Sequence, residues 1–491
     1  MNVQFFFVEI GRRVAIAALL IAGTLLVSAL PVSAAWQHAH GDSDNSGFAM
    51  VDTAPAWWPS MQQPLGSIAP GANPVAGPNG DVYIGNLQGE LRAFHSDGTP
   101  YWTRKINSLQ GGFFAAPVVG ADGSIYAVSS IHYRDHRDGE TKHVYESYLH
   151  KFSPGGAWMF WRPFPISNTY PFVGTGATTA PPNIWRWNGT EAIIVPVVNK
   201  GLGGQNLSLI AFSATGAVLG YKMVTHTSYD ITTSLDPAWL LECFAMSWWN
   251  AEAACAIIWY ATGAGEFLSS GDYLPLAGAG FPLPGVAIRP DRLGGPPFVM
   301  ATDGKHDKIA YTFSPQTGFS QIARSSHLLR TFTTPPVVLP NDDTLTGTLD
   351  GYMTRNFAQF GTSGLGTLTA APTRLSNGGL VIVSREGKMT ATGNGFRRHT
   401  LSGESIASAA ASCNHIFAAS TYELATFDAK TLGKVASMSW TGGGLHSPVI
   451  GPSGHVYAIA ANTLHVFPRP WKPVWDTRPP SCFLLPPVLT P

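Results

Sequence analysis

The chain has 491 residues, with 30 lysines and arginines balanced by 30 aspartates and glutamates. Charged residues make up 12%, about half the ~25% of an average soluble domain, and apolar residues make up 45%. The neutral balance gives no electrostatic case for nucleic acid, which calls for a basic face, and the apolar content argues against a disordered chain.

The first segment reads as a targeting sequence. Arg12 and Arg13 precede an uncharged run from Val14 to Leu30, followed by Pro31 and the small residues Val32, Ser33 and Ala34. This pattern predicts a signal peptide over 1–34 and export to the periplasm or beyond. An uncleaved anchor is the alternative, because the run is close to the shortest membrane span. The next stretch, HAHGDSD (38–44), places His38 and His40 two apart with Asp42 and Asp44 close behind. Two histidines and a carboxylate are a transition-metal donor set. The competing reading is an exposed N-terminal segment, and no metal site is assigned.

From residue 77 a pattern begins that recurs. GPNGDVYIGNLQGELRAFHSDGTPYW (77–102) holds a Gly/Asn turn, an apolar strand, a turn, a second strand, a Gly turn and a closing tryptophan. Related units start near 115, 179, 283, 334, 370, 408 and 446, each led in by small residues or proline. Units of about 36 to 50 residues with several short strands signal a propeller, solenoid or array. One small twisted sheet cannot bury both faces, but sheets packed face to face around an axis can. No long 3.6-period segment supplies helices between the strands. The fold class is therefore all-β: a single β-propeller of about eight four-stranded blades over 35–467, with a Pro-rich tail at 468–491. Seven blades is the alternative, and 225–281 matches no unit cleanly. The last unit lacks a closing strand of its own, so PAWWPSMQ (55–62) is expected to join it. KPVWDT (472–477) competes for that place.

Four cysteines remain after residue 34: Cys243, Cys255, Cys413 and Cys482. Export and an even count favour disulfides, with Cys243–Cys255 and Cys413–Cys482 the preferred pairing among three. HYRDHRDGETKH (132–143) is the densest charge cluster and reads as an insertion between two strands of the second unit. His132, Arg134, His136 and Arg137 make it a candidate binding loop, against a solvated hairpin tip. Tryptophans cluster at 57–58, 158 and 161, 185 and 187, and 248–249. Trp102, Trp158 and Trp440 are expected to wedge neighbouring blades, whereas Trp248 and Trp249 are better placed to bind a ligand. No phosphate-binding loop, nucleophile elbow or zinc-protease motif occurs, and scattered Ser, His and Asp residues specify no triad.

The elements DGSIYAVSS (122–130), GELRAFHSDGTPYW (89–102) and APVVGADG (116–123) resemble PQQ-type β-propeller repeats. Such repeats build quinoprotein alcohol dehydrogenases and an outer-membrane assembly lipoprotein. The dehydrogenases would imply an adjacent Cys-Cys pair over the quinone and a Glu, Asn and Asp set around calcium. Neither can be placed on a matching motif here, and the lipoprotein's lipidated cysteine is missing too. The resemblance thus implies the fold and export. The function expected is non-catalytic binding or scaffolding of a protein or glycan on a loop face, with no cofactor and no nucleic acid. A PQQ- and calcium-dependent oxidoreductase acting on an alcohol or sugar is the alternative, and a propeller-based hydrolase or lyase is a third.

Overall fold

The computed structural model describes residues 36–135, 142–165, 178, 180–201, 204–224, 285–289, 297–302, 307–326, 332–356, 358–360, 365–392, 395–470 and 480–484. Among them are eight antiparallel sheets, each built mainly from consecutive strands. Blade 1 comprises Val75–Ala76, Val82–Gly85, Glu90–Phe94 and Pro100–Lys105. Blade 2 comprises Val118–Val119, Ile125–Asp135, Lys142–Phe152 and Trp158–Pro163, with Gly112–Phe113 as an extra strand beside Ile125–Asp135. Blades 3 to 7 follow in the same order, with innermost strands Asn183–Trp187, Ala287–Ile288, Val337–Val338, Thr373–Arg374 and Ala410–Ala411. Blade 8 has Val449–Ile450, Val456–Ala460 and Thr463–Phe467, and takes its outermost strand from Met61–Pro64 at the other end of the chain. The arrangement is a β-propeller of eight blades.

Burial explains the strand composition. Val82–Gly85 and Val456–Ala460 are buried at every position, because a blade is covered on both faces by its neighbours. Such strands read as continuous apolar runs rather than as alternation. Outermost strands face solvent: in Pro100–Lys105 only Trp102 is buried. Five blades carry a register shift between their last two strands, as at Ala93/Phe94 and Ala211/Phe212, which adds local twist at the rim.

Closure follows the complementary shortage at the two chain ends. Met61 pairs with Val466 and Pro64 with Thr463, and the Ser60 amide donates to the Val466 carbonyl at 2.7 Å. The Tyr457 hydroxyl of blade 8 donates to the Ser96 carbonyl of blade 1 at 2.8 Å. The competing segment 472–477 and the irregular stretch 225–281 lie outside the described residues. Cys413 is disulfide-bonded to Cys482, and the Ser481 hydroxyl donates to Asp52 at 2.6 Å. Cys243 and Cys255 lie outside the described residues.

The tryptophans divide by register rather than by type. Trp102 is 8% exposed and its indole N–H donates to the Pro154 carbonyl of blade 2 at 2.9 Å. Trp440 is equally buried; its indole N–H donates to the Ser420 carbonyl, and its ring lies 5.8 Å from His465 of blade 8. Trp158 corrects the expectation of a wedge: it is 40% exposed at the rim and stacks on Phe152 of its own blade at 6.1 Å. Phe160 takes the wedge position. It stands four residues after Gly156, as Trp102 stands four after Gly98, and it abuts Gly216 of blade 3.

Candidate functional site

The most informative segment is 36–53, which precedes blade 1 and runs along the propeller axis. The innermost strand of a blade has no sheet partner on its axial side, so its amides need acceptors. This strap supplies them. The Ala76 amide donates to the Trp36 carbonyl at 2.8 Å and the Val119 amide to Gln37 at 2.9 Å. The Ile288 amide donates to Ser43 at 2.7 Å, Val338 to Asp44 at 2.9 Å, Arg374 to Ser46 at 2.8 Å and Ala411 to Gly47 at 2.8 Å. Each donor is the second residue of a two-residue innermost strand. In blade 3 the Asn183 side-chain amide does the same work, donating to the Ser43 carbonyl at 3.0 Å. The strap then leaves the axis beside blade 7, where the Cys413 amide donates to the Val51 carbonyl at 2.9 Å.

This placement corrects the reading of 38–44 as an exposed segment: His38, His40 and Asp44 are all buried. Burial lowers the His38 imidazole to about 3, helped by the Arg186 charge, and lowers His40 to about 4 against the opposing pull of Pro372 and Asp42. Both rings are neutral at physiological pH. Burial acts to raise the Asp42 carboxyl, but hydrogen bonds from the Asp44 side chain and from the Ser46 amide and hydroxyl hold it below the usual range. These residues do not converge: no group of three His, Cys, Asp or Glu side chains able to hold a metal ion occurs among the described residues. The Asp42 carboxylate braces the strap's own turn instead, with Ser46 donating to it through amide and hydroxyl at 2.9 and 2.7 Å.

Against the strap lies an axial cavity of about 80 Å³. His38, His40 and Asn45 contribute from the strap, and the lead-ins of the blades form the rest, among them Asn73, Asn183, Thr333, Thr369, Ser408 and Ser447. The repeated small-residue lead-ins of the sequence thus become its walls, since side chains crowd where strands converge. The carboxamides are already engaged. Asn45 donates to the Val286 and Pro336 carbonyls at 3.1 and 2.9 Å, and Asn73 accepts the Ser447 amide at 2.8 Å. The buried His38 Nδ1, His40 Nδ1 and Thr369 hydroxyl have no hydrogen-bond partner among the described residues. Among the described residues the lining contains neither a carboxylate nor a cationic side chain. Sequence reasoning missed Asn45, Asn73 and Asn183; the only signal was their place in or beside the lead-ins.

Other chemistry-bearing residues lie away from the strap. Ser129 Oγ and His150 Nε2 lie 2.7 Å apart, but both residues are fully buried and burial lowers the imidazole to about 3, so it is a poor proton acceptor. His132 and Arg134 lie on Ile125–Asp135, paired with Tyr145 and His143; His136 and Arg137 lie outside the described residues. The charged cluster therefore starts on two prolonged strands rather than on a loop, because Ile131 and Tyr133 continue the ladder opposite Glu146 and Val144. Trp248 and Trp249 lie outside the described residues. Trp57 and Trp58 are 61% and 77% exposed, on a turn fixed between the Ala56 amide, bound to Thr426 Oγ1, and Ser60.

No protein-family model and no curated protein matches the sequence. Solved structures similar to it include Sqt1 of Saccharomyces cerevisiae, at 10% identity and a TM-score of 0.49 over 85% of this chain and 99% of that one. A europium-containing methanol dehydrogenase is similar at 9% identity and a TM-score of 0.45, covering 88% of this chain and 90% of that one. BamB from Moraxella catarrhalis is similar at 10% identity and a TM-score of 0.36, covering 78% and 97%. Likenesses at this level concern the β-propeller fold alone.

Proposed function

We propose that this chain is an exported, PQQ-like propeller that acts by binding rather than by catalysis. The observation that carries the reading is the filling of the axis by residues 36–53, held by backbone hydrogen bonds to six blades. Pyrroloquinoline quinone is a tricarboxylate, and with calcium it needs cationic and carboxylate partners. The described lining residues offer only neutral groups, and the cavity of about 80 Å³ is well below the ~300–1,000 Å³ of pockets for drug-sized molecules. The residues there do not fit the cofactor. Among the described residues no helix is long and apolar enough to cross a membrane. A protein or glycan partner then docks on the outer faces, where Trp57 and Trp58 offer rigidly held aromatic surface.

The test is direct. Mature protein incubated with pyrroloquinoline quinone and Ca²⁺ is expected to emerge from desalting without quinone absorbance. It is also expected to reduce no redox dye with alcohols or sugars. Quinone retention with substrate-dependent dye reduction would establish the oxidoreductase instead.

A further inference from the structure

The strap meets the blades in chain order. Trp36 accepts from blade 1, Gln37 from blade 2, Ser43 from blades 3 and 4, Asp44 from blade 5, Ser46 from blade 6 and Gly47 from blade 7. The same segment then continues to Met61–Pro64 and seals blade 8. In six blades the donor occupies the same position, whatever its side chain: Ala76, Val119, Ile288, Val338, Arg374 and Ala411. A backbone surface is being read, repeated around the ring.

Two physical facts give this order a consequence. An isolated blade with a two-residue innermost strand is marginal alone, and a neighbour on its axial side stabilises it. In addition, chains do not thread through closed structures during folding. The strap lies inside the ring, and its own continuation closes that ring. Inserting it after closure would mean drawing the segment into an already formed channel from one face, between inner edges that have already closed in.

We infer that residues 36–53 are an assembly template: the strap docks first, blades 1 to 7 add to it in turn, and Met61–Pro64 closes the ring last. The strap is thus a folding device as well as a filler of the axis. The inference is independent of whether the protein binds or catalyses.

Pulse-labelled hydrogen exchange during refolding of the mature, disulfide-intact protein tests it. The amides of Ala76, Val119, Ile288, Val338, Arg374 and Ala411 are expected to become protected before the Ser60 amide, which marks closure. Protection of Ser60 first, or protection of the six only after ring closure, would overturn the template. Two variants give a second readout. Gly47 has φ +63, and an added Cβ would lie 2.8 Å from the His40 ring, so Gly47→Ala strains strap docking. It is expected to slow folding ~10-fold with little change in unfolding, as for a contact formed in the transition state. Met61→Ala, at the closing strand, is expected to speed unfolding and leave the folding rate within about twofold. The reverse pattern overturns the proposal. If Gly47→Ala does not fold, the labelling order in the natural chain decides.

Discussion

Gly156 of blade 2 faces the indole of Trp102 of blade 1 so closely that an added Cβ would lie 2.6 Å from Cδ2. With φ +81, this position suits glycine on backbone grounds as well. The contact joins blades 1 and 2 together with the hydrogen bond from Trp102 to Pro154.

Removing that ring empties a closed space. Trp102→Ala is expected to cost ~3–5 kcal/mol, as for other large-to-small core changes. Trp158→Ala at the exposed rim is expected to cost below ~1 kcal/mol, like an ordinary surface substitution. Denaturant midpoints of the two variants, compared with the parent, check the contrast; equal losses would place Trp158 in the wedge after all.

Lys308 is fully buried, and its ammonium donates to the Thr344 carbonyl at 3.0 Å. Burial lowers it from 10.5 to about 7, partly opposed by Asp343. The unfolded chain therefore binds more protons between these values, and stability rises with pH across about 7 to 10.5. The urea midpoint is expected to increase from pH 7.5 to pH 9.5, and the increase is expected to shrink in Lys308→Met. An unchanged slope in the variant would assign it to other groups.

Four buried histidines act at lower pH. Burial holds His38 and His150 at about 3, and His40 and His446 at about 4, against an ordinary 6.5. The unfolded state gains these protons first, so stability is lost as pH falls from 6.5 toward 3 to 4. The melting temperature is expected to drop steadily from pH 6.5 to pH 4. A flat profile would mean that these rings charge without strain.

The Cys413–Cys482 bond closes a loop spanning 69 positions and ties the tail to the end of the strap. Cys413→Ser is expected to cost ~2–4 kcal/mol, mainly by freeing the unfolded chain. Thermal melts with and without reductant check this, and non-reducing peptide mapping decides whether Cys243 and Cys255 are also paired.

Shortening the prolonged hairpin of blade 2 isolates it from the ring. Among the described strand pairs, replacing 133–144 by an Asn-Gly turn removes only Tyr133–Val144, Arg134–His143 and Asp135–Lys142. The melting temperature is expected to stay within a few degrees. A larger fall would show that this extension supports the propeller.

The repeat, the all-β class and the eight units were legible along the chain. Each blade is a local object, since its strands are consecutive and its turns carry their own Gly and Asn residues. The shortage of one strand at Phe467 also pointed to closure by the N-terminal region, for an unpaired edge must find a partner. The wedge at Phe160 was not legible from residue type, because the position is set by its place four residues after the turn glycine, where blade 1 has Trp102 and blade 2 has phenylalanine, while Trp158 stands two residues earlier at the exposed rim. Nor was the axis. HAHGDSD looked like ligands on an exposed strand because its residue types suit metal and water alike. What settles its role is the ring of inward amides at Ala76, Val119, Ile288, Val338, Arg374 and Ala411, which are far apart in sequence and converge only when the blades close. Local pattern determined the blades; the unmet hydrogen bonds of their assembled inner edges decided what fills the centre.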